Sequence, residues 1–305
     1  MQKIAVLPIL AVLIVSGCVS TVGGNGVIIE NFEPDFADAF GGEKITFQAK
    51  IRNTGSVGAK DVHAHVIGLG EWGAGTTGGA KSDKIEMDCN GKKGVTLLPP
   101  QPDFGTTGEV AVCSLLIQAP TPPKGLPVTY QPGLRVYYKY SSSVIKSINV
   151  GSQQELRRIQ NTGAALPTET VSQTSGPVAI TVVSKGPIRM FGSEVEFPVE
   201  ITVSNVGGGV VCSSNCDDKG SNWNRIKIST EFSGKQINDC SKEFTLFRGQ
   251  SNTIVCKLKI SDAPTSGVIQ KSVSVEASNY GYFIDSATSV EVNPSLAPSS
   301  GVTDP

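Results

Sequence analysis

Asp61, His63 and His65 stand at alternating positions in the run Asp61-Val62-His63-Ala64-His65-Val66. On a β-strand, alternation puts the three polar side chains on one face and sends Val62, Ala64 and Val66 to the other, toward a core. Two imidazoles and a carboxylate on one face are a partial ligand set for Zn²⁺ or Cu²⁺. No fourth protein ligand is visible nearby. The plainer alternative is the polar outer face of a half-exposed strand, and a chain with only two histidines offers little for metal or acid–base work.

A second cluster is Cys212-Ser213-Ser214-Asn215-Cys216-Asp217-Asp218. Its acids and the following Lys219-Gly220-Ser221-Asn222 suggest an oxygen-rich Ca²⁺ loop, but the alternating Asp spacing and distal Glu of an EF-hand are missing. A small disulfide-closed loop with solvated acids is the simpler reading. Trp72 lies in the Gly-rich stretch from Gly68 to Ser82, and Trp223 borders the Cys212–Cys216 segment. Aromatic side chains on sandwich-end loops make binding anchors, so Trp72 and Trp223 are candidate binding residues; the alternative is that each ring folds back over its own core. Tyr138, Tyr140, Tyr280 and Tyr282 alternate along strands, where aromatic packing is expected.

No nucleophile constellation is present: Gly-x-Ser-x-Gly and HExxH are both absent, and the Gly run has no GK[ST] ending. The chain is expected to be non-catalytic, with no cofactor. A net charge of −1 over 305 residues leaves no basic stripe for nucleic acid.

The elements that would position these residues form a repeat. Phe40-Gly41-Gly42-Glu43 leads into Ile45, Phe47, Ala49 and Ile51 and stops at Asn53-Thr54-Gly55. Phe191-Gly192-Ser193-Glu194 leads into Val195, Phe197, Val199, Ile201 and Val203 and stops at Asn205-Val206-Gly207. Period-two alternation marks half-buried strands, and Gly in the Asn-x-Gly turn can take a positive φ. Cys113 to Ile117 answers to Cys256 to Ile260, Tyr138-Lys139-Tyr140 to Tyr280-Gly281-Tyr282, and Val150 to Val292. With 34 Gly, 18 Pro and 17% charged residues, the chain reads as all-β: two tandem immunoglobulin-like β-sandwich domains, residues 27–150 and 177–293. The late strands are expected at 132–140 and 143–150 in the first copy, and at 268–279 and 283–292 in the second. Ser152 and Glu155 form a capping box for a short helix. Residues 151–176 thus read as this helix and an open linker, and 294–305 as a disordered tail.

The repeat also pairs the cysteines. Cys89 precedes Cys113 as Cys240 precedes Cys256, so each pair is expected to bridge within its own copy. Cys212 and Cys216 fall in an insertion present once and are left to bridge each other.

The seventh cysteine, Cys18, follows Lys3, an apolar run from Ile4 to Val15, and Val15-Ser16-Gly17. That run is too short to span a membrane. The pattern resembles the lipobox of bacterial and archaeal lipoproteins. The resemblance implies a signal peptide over 1–17, a lipidated Cys18 and a tether over 18–26. The paired sandwiches with Asn-x-Gly strand ends resemble the CARDB-type and S-layer-associated repeats of prokaryotic, in particular archaeal, envelope proteins. That resemblance implies a cell-surface interaction, adhesion or scaffold module on the outer face of the cytoplasmic membrane. Its partners would be the membrane, through the lipid anchor, and another envelope protein or surface polymer. The alternative is a metal- or solute-binding lipoprotein serving a membrane complex.

Overall fold

The computed structural model describes residues 26–73, 83–216, 218–261, 264 and 266–295. The segments expected to be a signal peptide (1–17), the lipidated Cys18 with its tether up to residue 25, and a disordered tail from 296 lie outside them, as do residues 74–82, 217, 262, 263 and 265.

The first repeat contributes β1 (Val27–Pro34), β2 (Asp38–Phe40), β3 (Lys44–Asn53), β4 (Ala59–Ile67), β5 (Lys84–Glu86), β6 (Asp88–Cys89), β7 (Val95–Leu97), β8 (Val110–Gln118), β9 (Val128–Tyr130) and β10 (Gly133–Ser152). Helix α1 (Gln153–Thr162) and β11 (Val171–Gln173) follow. The second repeat holds β12 (Val178–Ser184), β13 (Ile188–Met190), β14 (Val195–Asn205), β15 (Val210–Cys212), β16 (Arg225–Lys227), β17 (Ser229–Phe232), β18 (Lys235–Gln236), β19 (Glu243–Thr245), β20 (Ser251–Ile260), β21 (Val268–Ala287) and β22 (Val290–Asn293).

The architecture is an all-β sandwich. One wall is a ten-stranded sheet whose main path runs β18-β17-β21-β10-β4-β5. Leu134, Val136, Tyr138, Tyr140, Ser142, Val144, Ile148 and Val150 of β10 are all buried, as period-two alternation requires for one face of a strand. The opposing wall is made of two smaller sheets, β1-β3-β8-β6 and β12-β14-β20. Their inward residues, such as Ile45, Phe47, Ile51, Phe197, Val199 and Ile201, join one continuous core with those of the ten-stranded sheet.

Three expectations change. The pairs of late strands are each one strand: β10 and β21 are 20 residues long and pair antiparallel with each other along almost their whole length. The linker is open only in part. Strand β11 pairs with β10, Ser147 N–H donates to Thr170 O at 2.9 Å, and Asn149 Nδ2 donates to Pro167 O at 2.6 Å. The unpaired N–H and C=O groups along β10's edge drew this polar segment in. Helix α1 does start at the Ser152 cap, whose Oγ accepts from Glu155 N–H at 3.2 Å.

The third change concerns the Asn-x-Gly turns. Gly55 and Gly207 do not have positive φ. They are needed for close approach, since a Cβ at Gly55 would overlap the Tyr140 hydroxyl, and one at Gly207 would crowd the Tyr282 hydroxyl and Pro177. Each turn is braced alike. Asn53 Nδ2 donates to Val57 O and Leu97 O, and Tyr140 Oη accepts from Val57 N–H at 3.0 Å. Asn205 Nδ2 donates to Gly209 O and Gly249 O, and Tyr282 Oη accepts from Gly209 N–H at 2.9 Å.

Three disulfides close: Cys89–Cys113, Cys212–Cys216 and Cys240–Cys256. The four-residue step from Cys212 to Cys216 turns back to a Cα separation of 5.3 Å, within bridging range.

Candidate functional site

Where β4, β10 and β21 run side by side, their outer face carries a crevice of about 250 Å³. Asp61, His63, His65, Lys84, Tyr137 and Lys139 of the first repeat line it, with Asn215, Cys216 and Gly281 of the second. The Cys212–Cys216 bridge holds the insertion over the sheet and makes it a wall.

Strand β4 enters the site through a bulge, with register shifts against β7 and β10. Asp61 sits there at φ 49°, a left-handed conformation that Asp tolerates better than most residues. Its carboxylate meets Lys139 Nζ at 2.8 Å, and that hydrogen-bonded ammonium holds the carboxyl below its usual range. His63 Nδ1 lies 2.6 Å from Glu86 Oε1. Burial alone would raise the Glu86 carboxyl, but the bond to His63 and the surrounding positive groups bring it below its usual range. His65 packs edge-on against Tyr137, with ring centroids 5.4 Å apart. Burial, assisted by the nearby Lys84 ammonium, pushes its imidazole down to about 4. Among the described residues its buried Nδ1 has no hydrogen-bond partner. His65 is therefore neutral at physiological pH.

Asp218 of the insertion crosses to the first repeat. It accepts from Tyr137 Oη at 2.9 Å and pairs with Lys84 Nζ at 3.0 Å, contacts that hold its carboxyl below the usual range. Lys84 also stands over the Tyr137 ring, 4.5 Å from its centroid. Arg135 makes a two-pronged pair with Asp285, both bonds 2.7 Å, and covers Phe283 at 4.2 Å. Trp223, Phe283, Tyr137 and His65 thus form a ladder of rings across both repeats, with successive centroids 5.1, 5.7 and 5.4 Å apart.

Asp61, His63 and His65 do share the crevice, but their polar groups are not free to converge on a metal. Asp61 is held by Lys139, and His63 by Glu86. Among the described residues no group of three His, Cys, Asp or Glu side chains could hold a metal ion. Trp72 is a core residue, 3% exposed, packed between Phe47 and Tyr130 at 5.5 and 5.7 Å. Of the two alternatives for Trp72 it is the ring folded back over its own core, because burial against two aromatics outweighs the freedom of the Gly-rich backbone around it. Trp223 is half-buried and stacked on Phe283. The four tyrosines are buried at the centre of the molecule, Tyr138 opposite Tyr282 and Tyr140 opposite Tyr280. Tyr137, Lys84, Arg135 and Asp285 were not visible as site residues. Their only local signal is that Arg135, Tyr137 and Lys139 alternate on the outer side of a strand.

No family profile and no curated protein matches this chain. Among solved structures, a red sea bream transglutaminase aligns with 86% of this chain and 31% of its own at 9% identity and a TM-score of 0.19. A structure titled as a chaperone–tip adhesin complex of CFA/I fimbriae biogenesis aligns with 77% of this chain and all of its own, at 9% identity and a TM-score of 0.15. Likeness at this level carries no argument for either fold or function.

Proposed function

We propose that this chain is a lipid-anchored surface protein whose two tandem immunoglobulin-like sandwiches act together as a non-catalytic interaction or scaffold module outside the cytoplasmic membrane. The observation that carries the reading is the junction crevice, whose walls come from both repeats and whose charges are held by one another. Paired charges position a rigid surface for recognition. They do not present the activated nucleophile with its base that catalysis requires. Three disulfides suit an exported chain. The lipobox-like segment ending at Cys18 supplies the anchor, since two acyl chains give stable membrane attachment. The partner is another envelope protein or a surface polymer. The paired Asp61 and His63 favour this reading over metal delivery.

Two measurements test it. Photo-crosslinking in whole cells from position 215, in the crevice wall, is expected to give an adduct of defined mass, while position 48, on the exposed face of β3, gives none. No adduct from 215, or the same smear from both, removes the recognition role. Cys18→Ala is expected to free the protein from membranes or leave it at precursor mass. Unchanged partition and unchanged mass would exclude the anchor.

A further inference from the structure

A sandwich that completed itself would fold residues 142–152 back on residues 133–140 as a hairpin, and residues 284–293 back on the strand before them. Neither hairpin forms. Strand β10 runs straight, and its second half, Ser142 to Gly151, pairs with Ala277 to Val268 of the second repeat. In the same way Ile284 to Ala287 pair with Val136 to Gly133 of the first repeat, and Val290 to Val292 with Tyr130 to Val128.

The outer edges follow the same rule. Val150 to Ser152 of the first repeat pair in parallel with β13 of the second. Glu291 to Asn293 of the second repeat pair in parallel with β2 of the first. Each last strand therefore pairs with two elements of the other repeat, antiparallel on one side and parallel on the other, while β11 of the connector covers Val144 to Lys146 along the outer edge of β10. Its apolar residues are buried there: Val144, Ile148 and Val150 in one case, Val290 and Val292 in the other. The equivalent residues Val150 and Val292 occupy equivalent places, each in the other's sandwich.

The crossover point carries turn-type residues that run on without turning back. Tyr140-Ser141-Ser142-Ser143 faces Ala277-Ser278-Asn279-Tyr280, and a register shift falls between Tyr140 and Ser142. Asn279 has φ 52°, and its N–H donates to Ser141 Oγ at 2.9 Å. Ser142 Oγ and Tyr280 Oη share a buried hydrogen bond at 2.9 Å.

We infer that the two repeats reciprocally exchange their last strands, so that each sandwich is an acceptor groove for a last strand of this type and the partner that fills it is the other repeat. Exchange leaves each repeat's own pairing pattern intact, so the balance is set by contacts that exist only across the junction. Those are the Arg135–Asp285 pair, the Asp218 contacts to Lys84 and Tyr137, and Gln270 Nε2 donating to Asn149 Oδ1 at 3.2 Å and to Thr168 O at 2.9 Å. A cut in the connector would then leave the second repeat attached to the first.

The test uses the whole chain with a protease site placed across Gly163 to Leu166. After cleavage, light scattering with size exclusion is expected to give one species with the mass of the intact chain, which separates only in denaturant. Exchange is distinguished from side-by-side association by Ser147→Cys with Ser272→Cys, residues paired across the junction. Oxidation of the cut protein is expected to join the two fragments covalently through residues 147 and 272, shown by non-reduced peptide mapping. Ser143→Cys with Glu276→Cys, a second pair in the same register, is expected to do the same and guards against one variant that fails to fold. Fragments that separate under native conditions, or that stay together but are joined by neither pair, overturn the exchange.

Discussion

His65 shows how a residue readable in the sequence acquires its chemistry from residues that are not. Its position on the outer face of β4 follows from alternation alone. Its neutrality follows from Tyr137 and Lys84, which arrive from β10 and β5. His63, Glu86 and Asp218 supply the remaining charges around it. Because burial lowers its folded pKa from 6.5 to about 4, the unfolded chain binds the proton first as pH falls. The stabilisation is thus complete above about pH 6.5, declines through the window down to about 4, and is spent below it. A fully desolvated group would contribute ~3 kcal/mol, but a half-buried ring keeps about 1–2 kcal/mol after solvent screening. His65→Gln is expected to flatten the difference in urea-unfolding free energy between pH 7 and pH 4 by that amount. A slope unchanged by the substitution would show that the ring is as well solvated as in the unfolded chain. Trp72 makes a simpler case. Its indole N–H has no partner among the described residues, so Trp72→Phe is expected to cost much less than Trp72→Ala, for which ~3–5 kcal/mol is the usual loss on emptying an aromatic site.

At the scale of elements, the strands that bury one face were legible, because a period of two leaves a direct trace in the order of residues. Ile45 to Ile51 and Val195 to Val203 are the clearest cases. The turns were legible as turns, but for an incomplete reason. Asn53 and Gly55 look like a left-handed turn, whereas the structure uses the asparagine as a brace and the glycine as clearance for Tyr140, a residue far along the chain. The brace gives a measurable coupling. Tyr140→Phe leaves the Val57 N–H without its acceptor, at a cost of about 1–2 kcal/mol. Gly55→Ala forces a methyl group onto the tyrosine hydroxyl. Removing the hydroxyl relieves part of that overlap, so the double variant is expected to be less destabilised than the sum of the singles by at least ~0.5 kcal/mol. Strict additivity in chemical denaturation would mean that turn and tyrosine are independent. What the sequence concealed was the fate of Tyr140-Ser141-Ser142-Ser143. Whether such a segment folds back or runs straight is decided by which strand lies beside it, and that strand is more than a hundred residues away. No local pattern records that choice, and the crevice shares the same blind spot, because its walls meet only once β10 and β21 have paired.

At the scale of the molecule, that pairing makes the two repeats one mechanical body. A chain of this length ordinarily unfolds in steps, domain by domain. Here the core runs unbroken from Ile45 and Phe47 through the four tyrosines to Ile201 and Phe232, and the ten-stranded sheet contains strands of both repeats. Unfolding either repeat would strip half of β10 and half of β21 of their partners, exposing Val144 and Ile148 on one side and Val290 and Val292 on the other. The two tryptophans are placed to report on this, Trp72 inside the first repeat and Trp223 beside the second repeat's insertion. Val275→Ala opens a cavity opposite Val144, within the second repeat's part of the core, and is expected to destabilise by roughly 1–3 kcal/mol. In single-tryptophan versions of that variant, Trp72→Phe and Trp223→Phe, the fluorescence of the remaining tryptophan is expected to shift to lower denaturant in both, by the same amount against the matching single-tryptophan parent. A shift seen only through Trp223 would mean that the first repeat stands without the second, and the continuous sheet would then be a contact between two independent folds.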